Sequence, residues 1–228
     1  KQHIGVLNGL TVLVTAGPTW EALDPVRSLT NHSSGKMGYA IAKAAVQEGA
    51  AVKLVSGPTN LTPPKGIDVQ PVTTALEMLA AVEDSVSSAH IFIGVAAVTD
   101  YRPELYEQQK IKKNSSVLKL NLIRNPDILA NVANRAMPPF TVGFAAETEN
   151  VIDNAKAKLS TKGCDWIIAN DVSMISGVLS GDENTVHLIT ETESEDWPTL
   201  SKTEVGERLA KRIALNLSDE LGSSSVGS

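Results

Sequence analysis

Thr15–Gly38, TAGPTWEALDPVRSLTNHSSGKMG, follows an apolar run, Leu10–Val14, and precedes a stretch from Tyr39 whose Ala and Ile spacing suits one packed helix face. Strand-to-helix connections in α/β units usually take ~2–6 residues. This one is far longer and holds an Arg, an Asn, the pair Ser33-Ser34 and a Lys among its glycines and prolines. A polar loop at the carboxyl end of a buried strand, feeding a helix N-terminus, is where open α/β sheets place their ligands. The stretch is therefore the first candidate for a functional site. Its flanks predict a βαβ unit: a strand over Leu10–Thr15, a helix over about Gly35–Glu48 with Gly49 as C-cap, and a second strand over Ala51–Val55.

The alternation continues outward. Asp68–Val72 reads as a short third strand, and Thr74 with Glu77 forms a capping box opening a helix over Ala75–Ser87. His90–Val98 is an apolar central strand ending in Thr99-Asp100-Tyr101-Arg102. Pro103–Asn114 is then polar and basic, and Val117–Ile123 alternates with period two, so Lys110–Ile123 reads as an arm or flap with strand character. Asn125 as N-cap and Pro126 at the first helical position open a helix to about Arg135. Strands over Phe140–Ala145, Asp165–Ala169 and Thr185–Thr190, with helices over Asn150–Thr161 and Thr203–Leu217, complete the pattern. The expected fold is α/β: a Rossmann-like, mainly parallel sheet with helices on both faces and an inserted β-flap. Residues 1–9 read as a linker, 10–217 as the domain with its flap at about 103–123, and 218–228 as a disordered tail.

The net charge of −6 over 228 residues argues against broad nucleic-acid binding, which needs a basic field. A single cysteine, Cys164, excludes an intrachain disulfide framework, fits a reducing cytoplasm, and has no His placed to activate it. No apolar run approaches the ~20 residues of a membrane span. The opening Lys1 suggests a piece of a longer polypeptide.

Two familiar phosphate motifs fail. A P-loop needs Gly five residues before Gly-Lys-Ser/Thr, but Gly35-Lys36 is followed by Met37 and preceded there by Thr30. The dinucleotide fingerprint is reduced to Gly35 and Gly38, and Ser56-Gly57-Pro58 stands where an acidic residue should hold a ribose. A Rossmann oxidoreductase thereby loses its main support. Anion chemistry remains: Ser33, Ser34 and Gly35 sit at a helix opening where backbone N–H groups collect negative charge, or Ser34 simply caps that helix. Lys110-Ile-Lys-Lys and the group Lys156, Lys158 and Lys162 are either solvated faces or cradles for phosphate. Asp100, Glu147 and Asn170-Asp171 each follow an apolar strand, a repetition that favours a site at the strand carboxyl ends. Phe144 is either core or a ring that stacks on a base, and His32 is the histidine inside the key loop.

With these residues in hand the sequence resembles the phosphopantothenoylcysteine synthetases, the C-terminal half of bacterial bifunctional coenzyme A biosynthesis proteins. The resemblance is carried by TAGPT (Thr15–Thr19), DPVR (Asp24–Arg27), NHSSGKMG (Asn31–Gly38), AAVTDYR (Ala96–Arg102), KIKK (Lys110–Lys113), NPDI (Asn125–Ile128), GFAAET (Gly143–Thr148) and ANDV (Ala169–Val172). It implies a ligase that joins 4′-phosphopantothenate to L-cysteine using CTP and Mg²⁺ through an acyl-cytidylate. It implies Asn31 as catalytic in turning that intermediate into product, and Lys110 as a flap lysine acting on the first half-reaction and on CTP. CTP-binding positions are implied at Gly94, Val95, Ala96, Asp100, Asn125, Pro126, Asp127, Ile128, Phe144, Lys158 and Lys162. Gly17, Arg27, Ser33, Ser34 and Gly35 are further candidates for phosphate or substrate contact, and the Mg²⁺ ligands are unassigned. The flap is expected to build a homodimer, and flavin belongs to a decarboxylase half outside this chain. Trp20 stands where many relatives carry Arg, and Thr99 where many carry Ala, the latter an expected minor change. A non-catalytic nucleotide-binding module is the alternative, against which the Asn31 and Lys110 motifs speak.

Overall fold

The structure, a computed structural model, describes residues 5–112, 116–171 and 183–224. In chain order, β1 (Thr11–Ala16) leads through the hairpin β2 (Trp20–Ala22) and β3 (Ser28–Thr30) to α1 (Lys36–Gln47), β4 (Ala51–Ser56), β5 (Asp68–Pro71), α2 (Ala75–Val86) and β6 (Ile91–Gly94). A second hairpin, β7 (Tyr101–Pro103) with β8 (Leu122–Arg124), precedes α3 (Ile128–Ala133), β9 (Phe140–Glu147), α4 (Val151–Lys162) and β10 (Trp166–Asp171). The chain closes with β11 (Glu183–Asn184), β12 (Val186–Ile189), β13 (Ser194–Asp196), β14 (Leu200–Ser201) and α5 (Lys202–Ser224).

The main sheet has the order β13-β12-β10-β9-β6-β1-β4-β5. The run from β5 to β10 is parallel, and β12 and β13 add antiparallel strands at one edge. Numbered by chain position, the parallel strands lie 3-2-1-4-5-6, so the order reverses between β1 and β6. The parallel strands are apolar on both faces because both are covered. Val12 and Val14 of β1 and Ile91 and Ile93 of β6 pack under α1 and α5, while Leu13 and Phe92, one residue out of phase, meet Met78 and Val82 of α2. Ile167 and Ala169 of β10 pack instead with Ala155 and Leu159 of α4.

Gly38 brings α1 against the end of β1: a Cβ there would lie 2.5 Å from the Ala16 Cβ. Gly38→Val is therefore expected to cost about 2–3 kcal/mol through overpacking, read as a lower urea midpoint at unchanged slope. A variant as stable as wild type would show that the helix can retreat without loss.

Several expectations need correction. The central strand stops at Gly94 rather than Val98. Val95–Val98 stays apolar because it walls a cavity, a demand that hydropathy cannot distinguish from sheet burial. The helix after the arm is capped by Asp127, whose carboxylate accepts from Ala130 N, and not by Asn125. The side-chain amide of Asn125 is drawn away to Thr99 O at 2.8 Å, leaving Pro126 just outside the helix. Within the arm only Leu122–Arg124 joins a strand, against Tyr101–Pro103, whereas 117–120 lie outside any ladder. α1 is capped by Gly35 at φ +76°, with no side-chain cap, so Ser34 is not its N-cap. The domain begins before residue 10, since Leu7 is 1% exposed within the core and its N–H reaches Glu48 O at 2.8 Å. The closing helix runs past Ser218 to Ser224, where a tail had been expected, and 1–4 and 225–228 lie outside the described residues. Among the described residues no helix is long and apolar enough to cross a membrane.

Candidate active site

Where the strand order reverses, the loops leaving β1 and β6 are laced together. Ala97 N donates to Gly17 O at 2.9 Å, Thr19 N to Ala97 O at 3.3 Å, and Pro18 and Ala97 form an isolated parallel bridge. Behind this seam lies a buried polar cluster. Thr99 N donates to Thr19 Oγ1 at 3.1 Å, and Thr99 Oγ1 donates to Glu21 Oε1 at 3.3 Å. The same Glu21 oxygen accepts from Ala75 N at the start of α2. Thr99 is thus no minor change, because its hydroxyl also receives Asn125 Nδ2 at 3.1 Å and joins the loop to the arm's base.

The crevice has two chambers, of about 420 and about 450 Å³, that share Ala96, Val98, Asp100, Phe144 and Lys158 in their walls. The first has an apolar floor of Phe92, Gly94, Ile128 and Leu129 and a polar rim of Asp100, Tyr101, Arg124 and Asn125–Asp127. Lys158 and Lys162, one turn apart on α4, line it. Their expected repulsion is relieved by an acid, since Lys162 pairs with the Asp127 carboxylate at the start of α3. Lys156 departs from this pair and lines a separate cavity with Cys164. Asn125 faces the first chamber, but its Oδ1 accepts from Arg102 and its Nδ2 holds Thr99, so the side chain fixes the rim.

Gly17, Asn31–Gly38, Val95 and Ala146 line the second chamber. No acidic residue occupies the first turn of α1. Ser33 Oγ accepts from Gly35 N at 3.3 Å and Ser34 Oγ from Lys36 N at 3.4 Å, and the positive end of the helix opens onto the chamber. Asn31 Nδ2 donates to Val98 O at 3.1 Å and to Ala97 O at 3.4 Å. Its donors are therefore engaged, which turns Oδ1 into the available group. Sequence reasoning missed Asn184, Lys202 and Tyr101 as wall residues. A signal existed for Tyr101 alone, which adjoins Asp100.

Two candidates lie elsewhere. Lys110 is exposed and lines neither chamber, and Lys113 of the same motif lies outside the described residues. Arg27 donates from Nε and an Nη to Asp24 Oδ2, at 2.9 and 2.6 Å, and from that Nη to Ile111 O at 2.8 Å. Asp24 Oδ2 also accepts from Ile111 N at 3.1 Å, so the pair grips the residue after Lys110 by both backbone groups. Burial pushes the Asp24 carboxyl up, but hydrogen bonds from the Arg27 side chain and from Val26, Ile111 and Arg27 N–H outweigh it and hold the group well below the usual carboxylate range. Glu147 accepts from Asn154 Nδ2 at 3.2 Å and stands outside both chamber walls.

Burial pushes the Cys164 thiol up to about 11. Folded protein at pH 8 is expected to react with a disulfide reagent only as fast as it opens, and an immediate stoichiometric burst would contradict this. Among the described residues no group of three His, Cys, Asp or Glu side chains is arranged to hold a metal ion.

The strand order and the two-chamber crevice at its switch point define a Rossmann-like α/β protein with a ligand site at the strand carboxyl ends. Comparison narrows the class. The family model for the DNA/pantothenate metabolism flavoprotein C-terminal domain matches residues 7–217, and the chain belongs to that family. The Coenzyme A biosynthesis bifunctional protein CoaBC of Haemophilus influenzae is 49% identical over 208 residues, covering 91% of this chain and 52% of that protein. The chain thus spans about half the length of the curated relatives it matches. A crystal structure of the C-terminal domain of a Coenzyme A biosynthesis bifunctional protein CoaBC is 40% identical with a TM-score of 0.81, covering 94% of this chain and 99% of that one. A Cab2 variant in complex with phosphopantothenate-cysteine shares the fold at 16% identity and a TM-score of 0.73, covering 95% of this chain and 88% of its own.

Proposed function

We propose that the chain is a phosphopantothenate–cysteine ligase of coenzyme A biosynthesis, activating 4′-phosphopantothenate with CTP. The observation that carries the proposal is the pair of joined chambers, one lined by Lys158 and Lys162 and the other by the glycine-capped N-terminus of α1 beside Asn31. Nucleotide occupies the first chamber, with Phe144 against the base and Lys158 and Lys162 facing phosphate. The 4′-phosphate sits at Ser33–Gly35, which leaves the substrate carboxylate at the shared wall.

There a carboxylate oxygen bonds to the α-phosphorus of CTP as the bond to pyrophosphate breaks. The cysteine amine then bonds to the acyl carbon, CMP leaves with the electron pair, and the amine loses a proton. Asn31 Oδ1 accepts from that amine and orients it, since Nδ2 is held on Ala97 and Val98. This differs from the donor role that an amide would also permit. Mg²⁺ would supply charge neutralisation on the triphosphate, and Asp100, on the wall of both chambers, is the carboxylate that would hold it.

Leu105, Val117 and Leu118 on the arm are more than half exposed, which supports a homodimer through the flap and a closed state that brings Lys110 to the triphosphate. A flavin-dependent decarboxylase domain completes the full-length chain, and the buried, unpaired Cys164 suits a cytoplasmic enzyme.

Pyrophosphate release by the purified chain with CTP, Mg²⁺ and 4′-phosphopantothenate tests the proposal, with ATP alongside. Release that needs both CTP and the acid, and that rises with cysteine, is expected. Release with neither nucleotide would reduce the chain to a binding module.

A further inference from the structure

Glu21, on β2, is 3% exposed, and carboxylates are seldom buried so deeply unless something holds them. Its Oε1 accepts from Ala75 N at 2.9 Å and from the Thr99 hydroxyl at 3.3 Å. Glu21 lines neither chamber, so it touches neither substrate. Thr99, which it holds, lines the first. We infer that Glu21 is a positioning residue for the nucleotide chamber, acting through Thr99 on the Asn125 side chain.

A threonine hydroxyl has one proton to give and two lone pairs to receive with. A carboxylate only accepts, so Glu21 takes the Thr99 proton and leaves both lone pairs to other donors. They meet Thr19 Oγ1 at 3.2 Å and Asn125 Nδ2 at 3.1 Å. Thr19 Oγ1 accepts from Thr99 N, which leaves its own proton for the Thr99 oxygen. Asn125 Nδ2 also donates to Thr99 O at 2.8 Å, and Arg102 Nη1 donates to Asn125 Oδ1 at 3.1 Å. The O and N of an amide are assigned from their partners, and here an acceptor-only carboxylate on one side and a donor-only guanidinium on the other demand the same assignment. The amide so fixed stands at the rim, where Asn125 N donates to Asp100 O at 2.8 Å. Without Glu21 the Thr99 proton turns toward Asn125 Nδ2 and that contact is lost, while Thr99 O keeps its own. The rim loosens but does not collapse. Asn125–Asp127 line the first chamber and not the second, so the loss falls on the nucleotide and spares the acid.

The inference rests on the proposed ligase function, which puts CTP in the first chamber. Calorimetric binding of CTP with Mg²⁺, and the KM for 4′-phosphopantothenate in pyrophosphate release at saturating CTP, test it in wild type, Glu21→Ala, Thr99→Val and the double variant. Each single variant is expected to bind CTP about tenfold more weakly, the worth of one hydrogen bond, with the KM for 4′-phosphopantothenate unchanged. Because Glu21 acts through Thr99, the double variant should bind CTP little worse than either single one. If Glu21→Ala fails to fold, Thr99→Val carries the test alone, since it leaves the bond from Ala75 N to Glu21 in place. Unchanged CTP affinity in folded variants, equal losses for both substrates, or additive losses in the double variant would overturn the inference while leaving the ligase reading intact. Failure of wild type to bind CTP would overturn both.

Discussion

Asn31→Asp is expected to release pyrophosphate from CTP and 4′-phosphopantothenate yet to form the cysteine adduct at least about a hundredfold more slowly than wild type, the scale of losing one preorganised polar contact in a transition state. The chemistry follows from the two carbonyls that hold the amide. Asn31 Nδ2 donates to Ala97 O and Val98 O in the seam between the β1 and β6 loops. A carboxylate cannot donate there, and its lone pairs would face two carbonyl oxygens. The side chain must swing out, carrying a negative charge into the chamber where the acyl carbonyl and the departing CMP phosphate gather charge. Activation at the α-phosphorus is complete before the cysteine amine engages Asn31, so it depends less on this contact. Rapid quench with mass detection separates the steps: acyl-cytidylate should accumulate in the variant and decay slowly after cysteine is added. Wild-type turnover would remove Asn31 from the second half-reaction.

The fold was legible wherever one residue carried one demand. The long polar loop, the capping box at Thr74 and the doubly apolar strands each point to a buried parallel sheet, and the sheet has that form. The misses fall where one pattern serves two purposes. Val95–Val98 is apolar because it walls a cavity, yet it continues the hydropathy of β6. Asn125-Pro126-Asp127 offers two caps, and the choice of Asp127 depends on Thr99 taking the Asn125 amide. The alternation in 117–123 reflects exposed apolar side chains on the arm more than a ladder.

Site residues from the quoted motifs mostly converge: Asp100, Phe144, Lys158 and Ala96 meet at the wall between chambers, with Asn31 and Ser33 on one side and Asp127 and Lys162 on the other. Asn184 was invisible because a two-residue strand, paired with Leu200–Ser201, delivers it, and no local period marks so short an element. The grip of Asp24 on Ile111 was equally hidden, since the two lie 87 residues apart. The motif around Arg27 pointed to phosphate, but the structure gives its guanidinium to Asp24 and the arm.

That grip makes Asp24→Ala the second large expected effect. Asp24 accepts from Val26 N, from Arg27 N and side chain, and from Ile111 N, and the Arg27 Nη it orients holds Ile111 O. Removing the carboxylate releases both backbone groups beside Lys110 and leaves Arg27 without its counter-charge. The arm should become protease-sensitive, and the first half-reaction should slow by roughly ten- to a hundredfold, as misplacement of a distant catalytic group does. Asp24 acts here as a positioning residue, so its effect must pass through Lys110. Lys110→Gln alone is expected to suppress pyrophosphate release, and Asp24→Ala added to it should cost little more. Additive losses would mean that Asp24 supports the fold and not the lysine. The depressed carboxyl fixes the pH dependence. A group ionised in the folded state below its unfolded value of about 3.9 contributes fully above that pH, and the contribution fades as pH falls through the lower folded value. Wild-type arm protection should therefore be the same at pH 5 and pH 7, whereas Asp24→Ala should be cleaved at both. Cleavage of wild type rising between pH 7 and pH 5 would show that another titrating group holds the arm.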